Sequence, residues 1–94
     1  MSVHRLHAIV HGRVQGVGYR YWAHHTAHRL PGIAGYVKNL PDGSVEVLAE
    51  CQDRTPLDVL LHELHVGPEA AQVTEVTARW EEGNTLRHSG FHVA

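Results

Sequence analysis

A glycine-rich stretch that ends in an arginine is the part of the chain best suited to chemistry. From residue 12 to residue 20 it reads Gly-Arg-Val-Gln-Gly-Val-Gly-Tyr-Arg, and it lies between an alternating apolar segment and a helical pattern. Because glycine has no Cβ, consecutive backbone N–H groups in such a loop can converge on one point. A helix that begins directly behind the loop adds free N–H groups and the positive end of its dipole. Arg20 adds a planar set of donors that suits a phosphoryl group, so the stretch predicts an anion-binding loop.

A second polar segment is Gly35-Tyr36-Val37-Lys38-Asn39, which is followed closely by Asp42-Gly43. Asn39 ends a predicted strand that should lie in the same sheet as the strand leading into the loop. Its side-chain amide can both donate and accept hydrogen bonds, which is what positioning a water molecule requires. Asparagine is also common in turns, and Leu40-Pro41 follows, so taken alone this residue is explained equally well as a turn residue.

The first half of the chain must supply the elements that carry these residues. Residues 3–14 alternate apolar and polar side chains, as in a strand with one polar face, and residues after the loop change to a helical period. Pro41-Asp42-Gly43 joins two further alternating segments into a predicted β-hairpin, in which Ser44, Glu46 and Glu50 should face outward. The predicted strand, helix and hairpin strands cover residues 3–14, 21–30, 33–39 and 44–50.

The second half of the chain predicts one more helix and two strands. Thr55 can cap a helix that starts at Pro56 and stops at Gly67-Pro68. Residues 72–80 form a strand in which Val73 and Val76 differ in parity, so we expect a bulge between them. Two apolar residues near the end, Phe91 and Val93, indicate a short final strand.

The order of these elements is β-α-β-β-α-β, with the short strand as an addition. Two right-handed crossovers would place both helices on one face of an antiparallel sheet, which is the ferredoxin-like α/β sandwich. We expect one domain over residues 1–94, since the length suits a single small core. This fold carries many unrelated functions, so the function must be argued from the site.

The composition indicates which kinds of partner and which cellular compartment the protein suits. The net charge is −2 with histidines neutral, which disfavours a nucleic-acid-binding protein, although ten histidines would make the chain cationic below about pH 6. The single cysteine, Cys51, cannot form an internal disulfide, which suits a reducing compartment. No signal peptide and no membrane-length apolar stretch is evident. We therefore expect a cytoplasmic protein with no membrane or nucleic-acid partner.

Together the two polar segments resemble the signatures of the acylphosphatase family. The segment Val10–Arg20 resembles the first signature, and Gly35–Asn39 with Gly43 and Val45 resembles the second. Length and element order also match, so the resemblance covers nearly the whole chain. It implies hydrolysis of small acyl phosphates to a carboxylate and inorganic phosphate, with broad acceptance of the acyl part.

The resemblance also implies roles for individual residues. Arg20 and the loop N–H groups would bind the phosphoryl group, or inorganic phosphate and similar anions, and Asn39 would hold the attacking water. The implied loop comprises Gln15, Gly16, Val17, Gly18, Tyr19 and Arg20. No metal, cofactor or covalent phosphoenzyme is implied, and phosphoryl transfer needs positioning and charge stabilisation more than a protein nucleophile. A monomer is expected.

The sequence departs from the family pattern at a few positions. Cys51 stands where the second signature usually carries glycine, and Ala23 replaces a common threonine. The connection from Leu30 to Ile33 resembles the usual one but is about one residue longer. None of these departures removes Arg20 or Asn39.

The residues also admit other functions, which they support less well. The pairs His24/His28 and His62/His65 lack a recognisable zinc spacing and are better explained as solvated helix faces. An acylphosphatase-like module without this activity, as in larger carbamoyl-transfer proteins, is one alternative, although no further domain is evident. An RNA- or protein-binding ferredoxin-like domain is another, but such domains usually display stacking aromatics on the open face. The first strand has none there, and its His7, His11 and Arg13 are expected to be solvated.

Overall fold

The computed structural model describes residues 2–94; Met1, the first residue of the predicted domain, lies outside the described residues. These described residues fold into five strands and two helices. They are β1 (Val3–Arg13), α1 (Tyr19–His28), β2 (Ala34–Asn39), β3 (Val45–Cys51), α2 (Arg54–Val66), β4 (Gln72–Gly83) and β5 (Phe91–Val93).

The strands form one sheet in the order β4-β1-β3-β2-β5. Both helices pack on this sheet, which confirms the predicted ferredoxin-like sandwich. The sheet is mixed rather than antiparallel, because β5 runs parallel to β2 with Gly35 opposite Phe91. The reason is the path of the chain. β4 ends beside the start of β1, where Val3 pairs with Gly83, and residues 84–90 then pass along that end of the sheet. β5 therefore starts level with β2 and follows its direction.

The core lies between the sheet and the helices. Alternate residues of β1 and β3 are almost completely inaccessible to solvent, as the predicted alternation requires, and so are three leucines of α2. These residues are Leu6, Ala8, Val10, Val45, Val47, Ala49, Leu57, Leu60 and Leu64. Each fully buried leucine contributes about 1.5–3 kcal/mol, so this layer holds α2 against β1 and β3.

The predicted bulge is confirmed and explains one of the glycines. The register between β1 and β4 shifts at His11/Gly12, where His11 pairs with Glu75 and Gly12 with Val73. Gly12 has φ +121°, and a Cβ there would collide with the backbone carbonyl of Gln72. Gly12 therefore serves the pairing of β1 with β4, and only the later glycines belong to the loop.

Both helices begin earlier than predicted. α1 starts at Tyr19, behind Gly18 in the left-handed conformation (φ 80°, ψ 16°), so Arg20 lies inside its first turn. In α2 the capping position is Asp53 rather than Thr55, and Thr55 lies within the helix. Neither capping residue donates or accepts a side-chain capping hydrogen bond. The apolar period locates the middle of each helix but not its first residue, because Arg20, Arg54 and Thr55 carry polar side chains that do not continue the apolar stripe.

The outer face of the sheet is less solvated than predicted. Glu50 was expected to face solvent, but it is fully buried and pairs with Arg5 at 2.6 Å, and Ser44 is buried as well. His7 was expected to be solvated, but its Nε2 lies 2.7 Å from Glu46 Oε2 in a half-buried pair, and His11 is half-buried; Arg13 is exposed as predicted. Glu50 is covered because residues 84–90 cross beside it.

No helix among residues 2–94 is both long and apolar enough to span a membrane.

Candidate active site

A cavity of about 200 Å³ lies at the end of the sheet where β1 and β2 stop. It is lined by residues from the loop, from the first turn of α1 and from the end of β2. The lining residues are Val14, Gly16, Gly18, Tyr19, Arg20, Tyr21 and Asn39. The two predicted polar segments, separate in sequence, therefore meet at one place, while Gln15 and Val17 lie just outside the lining.

The loop owes its shape to two glycines. Gly16 and Gly18 have φ values of +74° and +80°, whereas Gln15 before them and Val17 between them have negative φ. A Cβ at either glycine would meet no atom within 4 Å, so glycine is required by the backbone angle and not by lack of space. Alternating signs of φ turn successive N–H groups towards one concave surface, which is a general anion-binding geometry.

Gln15 holds the loop against the β2–β3 turn. Its side-chain Nε2 donates to the carbonyl oxygens of Leu40 at 2.8 Å and Ser44 at 2.9 Å. The turn itself is closed by Asp42, whose carboxylate accepts from the backbone N–H of Ser44 at 3.0 Å and from the Ser44 hydroxyl. Because Leu40 directly follows Asn39, the side chain of Gln15 fixes the distance between the loop and Asn39.

Tyr19 anchors the start of α1. Its side chain is 1% exposed, and its hydroxyl donates to the carbonyl oxygen of Leu64 at 2.7 Å. Burial raises the pKa of Tyr19 well above its usual value, so the phenol stays neutral. The ring packs at a tilt against Trp22, which is half-buried on the core. Val17 also packs against the core, so the loop is held from below by apolar contacts.

Arg20 is half-buried on the cavity wall. One guanidinium nitrogen, Nη1, donates to the backbone oxygen of Ala94 at 2.9 Å. This partner orients the side chain, while the guanidinium retains further N–H donors. The first turn of α1 contains no acidic residue, so its positive dipole end is not opposed locally. The cavity therefore combines an arginine, a helix N-terminus and a glycine loop, a set that favours a tetrahedral oxyanion.

Asn39 lines the cavity from the end of β2. It is the last residue of β2, pairs with Val45 in the ladder and is exposed. The ladder fixes its backbone, and the cavity is open to its side chain. An amide in this position can donate one hydrogen bond to an oxyanion and accept another from water.

Two lining residues, Val14 and Tyr21, were not predicted. Val14 is buried and supports the loop from the core side. Its residue type is that of an ordinary core residue, so the only sequence signal for its role was its position next to the loop. Tyr21 is 66% exposed at the cavity mouth. Its position directly after Arg20 in the first turn of a helix was the available signal.

Cys51 and the histidines lie outside this cavity. Cys51 is buried at the end of β3, where its Sγ lies 3.5 Å from the carbonyl oxygen of Pro31, beside a separate cavity that includes Leu86. The rings of His24 and His28 are 4.3 Å apart on α1. Ala23 is buried in the core, on the inner side of that helix.

Comparison with known proteins decides the family. The acylphosphatase family model matches residues 6–93. An acylphosphatase of Thermus thermophilus is 51% identical over 89 residues, which cover 95% of this chain and 97% of that protein. This chain belongs to the acylphosphatase family. The resemblance predicted from the two signatures is thereby confirmed.

Solved acylphosphatases share the whole architecture. The crystal structure of acylphosphatase from Bacillus subtilis matches with a TM-score of 0.81 and 35% identity over 100% of this chain and 99% of that one. An acylphosphatase from Coxiella burnetii matches with a TM-score of 0.84 and 36% identity over 98% and 93% of the two chains. Both acylphosphatase signatures of this chain therefore lie within a fold shared from end to end.

Proposed function

We propose that this chain hydrolyses small acyl phosphates to a carboxylate and inorganic phosphate, with Arg20 and Asn39 as the catalytic residues. The observation that carries the proposal is the cavity in which Arg20, the glycine loop and Asn39 meet. Membership of the acylphosphatase family supports the reaction class.

The phosphoryl group is bound by the loop and by Arg20. Backbone N–H groups from Gln15 to Arg20 and the guanidinium of Arg20 stabilise the negative charge on its oxygens. Charge-assisted hydrogen bonds of this kind are about twice as strong as neutral ones, and they strengthen further as charge accumulates in the transition state. The contacts of Gln15 and Tyr19 hold the donors in place before substrate arrives.

The nucleophile is a water molecule held by the side chain of Asn39. Its oxygen attacks phosphorus, the bond between phosphorus and the acyl oxygen breaks, and the carboxylate leaves with the electron pair. Carboxylate is a good leaving group, so no strong general acid is needed. The residues that line the cavity include no carboxylate, imidazole or thiol, and Tyr19 stays neutral. The water proton passes to a phosphoryl oxygen of the substrate, and no metal, cofactor or phosphoenzyme takes part.

We further propose that the protein works as a single domain and a monomer in the cytoplasm. The exposed large apolar side chains are scattered, with Val59 and Val66 on α2, Leu86 after β4 and Tyr21 on α1. Single exposed apolar residues are normal on monomers. The free thiol of Cys51 suits a reducing compartment. Inorganic phosphate, the product, occupies the loop when substrate is absent.

Hydrolysis in ¹⁸O-labelled water tests the reaction and the bond that breaks. The proposal expects stoichiometric release of phosphate from acetyl phosphate, with one labelled oxygen in the phosphate and none in the acetate. Label in the acetate would mean that water attacks the carbonyl carbon, and absence of turnover would refute the activity.

A further inference from the structure

Tyr21 is an exposed aromatic side chain at the mouth of the candidate active site. Its exposed fraction is 66%, the highest among the exposed large apolar residues of the described chain, and it lines the same cavity as Arg20 and Asn39. A single exposed tyrosine needs no explanation in itself. Its place beside an anion-binding loop does call for one, and the roles proposed for the other residues leave the ring unused.

The first turn of α1 turns this ring away from the core. Tyr19 is buried and Trp22 packs against the core, so the helical phase directs the intervening residues to the cavity side. The guanidinium carbon of Arg20 lies 5.8 Å from the ring centroid of Tyr21, within the range of a cation–π contact. The ring is therefore held next to the group proposed to bind the phosphoryl oxygens.

The substrate must extend from the loop towards this ring. When the loop and Arg20 hold the phosphoryl oxygens, the acyl part projects out of the cavity through its mouth. The remaining apolar lining offers it little, because Val14 and Tyr19 are each 1% exposed and Gly16 and Gly18 carry no side chain. Tyr21 is the lining residue that combines a broad apolar face with access to solvent.

We propose that Tyr21 forms the acyl-group subsite and favours planar aromatic acyl phosphates over small aliphatic ones. The proposal deepens the function proposed above and rests on it for the identity of the substrate. An aromatic acyl group can lie against the ring in an offset or edge-on arrangement, whereas an acetyl group is too small to cover it. The subsite changes the kcat/KM for different acyl phosphates but does not restrict hydrolysis to one of them. This refines the broad acceptance expected from the sequence.

The first arm of the test compares kcat/KM for benzoyl phosphate and acetyl phosphate. Aromatic contacts contribute about 0.5–1.5 kcal/mol beyond area, which converts to about a two- to twelvefold change. Tyr21→Ala is expected to lower the ratio of the two kcat/KM values by that factor, while Tyr21→Phe, which keeps the ring, retains the ratio. The control is Val59→Ala, at an exposed site on α2 that does not line the cavity. An unchanged ratio in Tyr21→Ala would overturn the subsite.

The second arm measures binding without hydrolysis, by calorimetry with phenylphosphonate and methylphosphonate. The wild type is expected to bind phenylphosphonate more tightly, and Tyr21→Ala is expected to remove most of that difference. Equal affinities in the wild type would overturn the subsite even if both acyl phosphates are hydrolysed. A Tyr21-dependent difference in a protein that hydrolyses neither acyl phosphate would leave the subsite standing and refute the proposed function.

Discussion

The buried carboxylate of Glu50 offers the sharpest test of how this fold is held together. Glu50 is fully inaccessible to solvent and accepts from Arg5 Nε at 2.6 Å, while Arg5 itself is 5% exposed. Its other oxygen, Oε1, accepts from the backbone N–H groups of Arg87 at 2.9 Å and His88 at 3.0 Å. The Nδ1 atom of His88 lies 2.9 Å from the same oxygen. This carboxylate therefore ties the crossing segment before β5 to the sheet.

Glu50→Ala removes one partner of a buried ion pair and leaves two backbone donors without their acceptor. Removing one member of such a pair costs about 3–5 kcal/mol, because the remaining charge stays buried. Among the described residues, Arg5 would keep only the exposed carboxylate of Glu81, at 3.9 Å, and the carbonyl oxygen of Thr85, at 3.3 Å. A domain of this size has about 5–15 kcal/mol of stability in total, so the variant should lose a large fraction of it. The melting temperature should fall by about 12–40 °C, since 1 kcal/mol shifts it by about 4–8 °C in a domain of this size.

Urea unfolding at neutral pH measures the effect directly. Glu82→Ala is the matched control, because Glu82 is an exposed glutamate that pairs with a histidine, His4, and should cost under about 1 kcal/mol. The double variant Arg5→Met/Glu50→Leu should recover much of the loss, because it leaves no buried charge. A cost for Glu50→Ala no larger than that for Glu82→Ala would refute the reasoning, as would a double variant less stable than Glu50→Ala.

The pH dependence of the same carboxylate has a definite sign. Burial acts to raise the pKa of Glu50, but hydrogen bonds from His88 and Arg5 outweigh burial and leave the pKa below its usual value. A lowered pKa in the folded state contributes stability above the unfolded pKa, about 4.3, and that contribution is lost as the pH falls through the folded value. The wild type should therefore lose stability more steeply in acid than Glu50→Gln.

Three further predictions concern the loop and its supports. Gly18→Ala places a side chain at φ +80°, so it should lower the free energy of unfolding by about 1–2 kcal/mol and weaken the binding of inorganic phosphate. Gly43→Ala, at φ +93° in the β2–β3 turn, should be strained in the same way but keep its phosphate affinity. Calorimetry with phosphate compares the two variants. Gln15→Ala removes two hydrogen bonds between the loop and the turn and should lower kcat/KM for acetyl phosphate. An unchanged kcat/KM would mean that these hydrogen bonds do not hold the loop in its active position. Tyr19→Phe should lower the free energy of unfolding by about 1–3 kcal/mol, measured by thermal unfolding, because the carbonyl oxygen of Leu64 loses its buried donor. An unchanged stability would mean that a water molecule replaces the hydroxyl as the donor to this oxygen.

Periodicity predicted most of the fold because it reports burial on two regular faces. Alternation located β1 and β3, and the mismatched parity of Val73 and Val76 located the bulge that the register shift confirms. It could not predict the burial of Glu50, because the segment that covers this residue has no periodic pattern of its own. The direction of β5 was missed for the same reason, since it depends on the path of that segment.

The sequence predicted which residues form the candidate site but not the contacts that hold them in place. Glycines and an arginine between a strand and a helix have few other uses, so the loop and Arg20 could be read from local residue types. The contacts that hold them join distant parts of the chain. Gln15 reaches Ser44, Tyr19 reaches Leu64 and Arg20 reaches Ala94, and no local pattern encodes such pairs.

One measurement tests the proposed chemistry most directly: hydrolysis of benzoyl phosphate in the presence of a chelator by the wild type, Arg20→Gln and Asn39→Ala. Arg13→Gln and Asn84→Ala are matched controls at exposed positions outside the cavity. Loss of a phosphoryl contact or of the water position should lower kcat/KM by about 10²-fold or more, while the chelator and the controls leave it unchanged. Activity that persists in both site variants, or disappears with the chelator, would contradict the account.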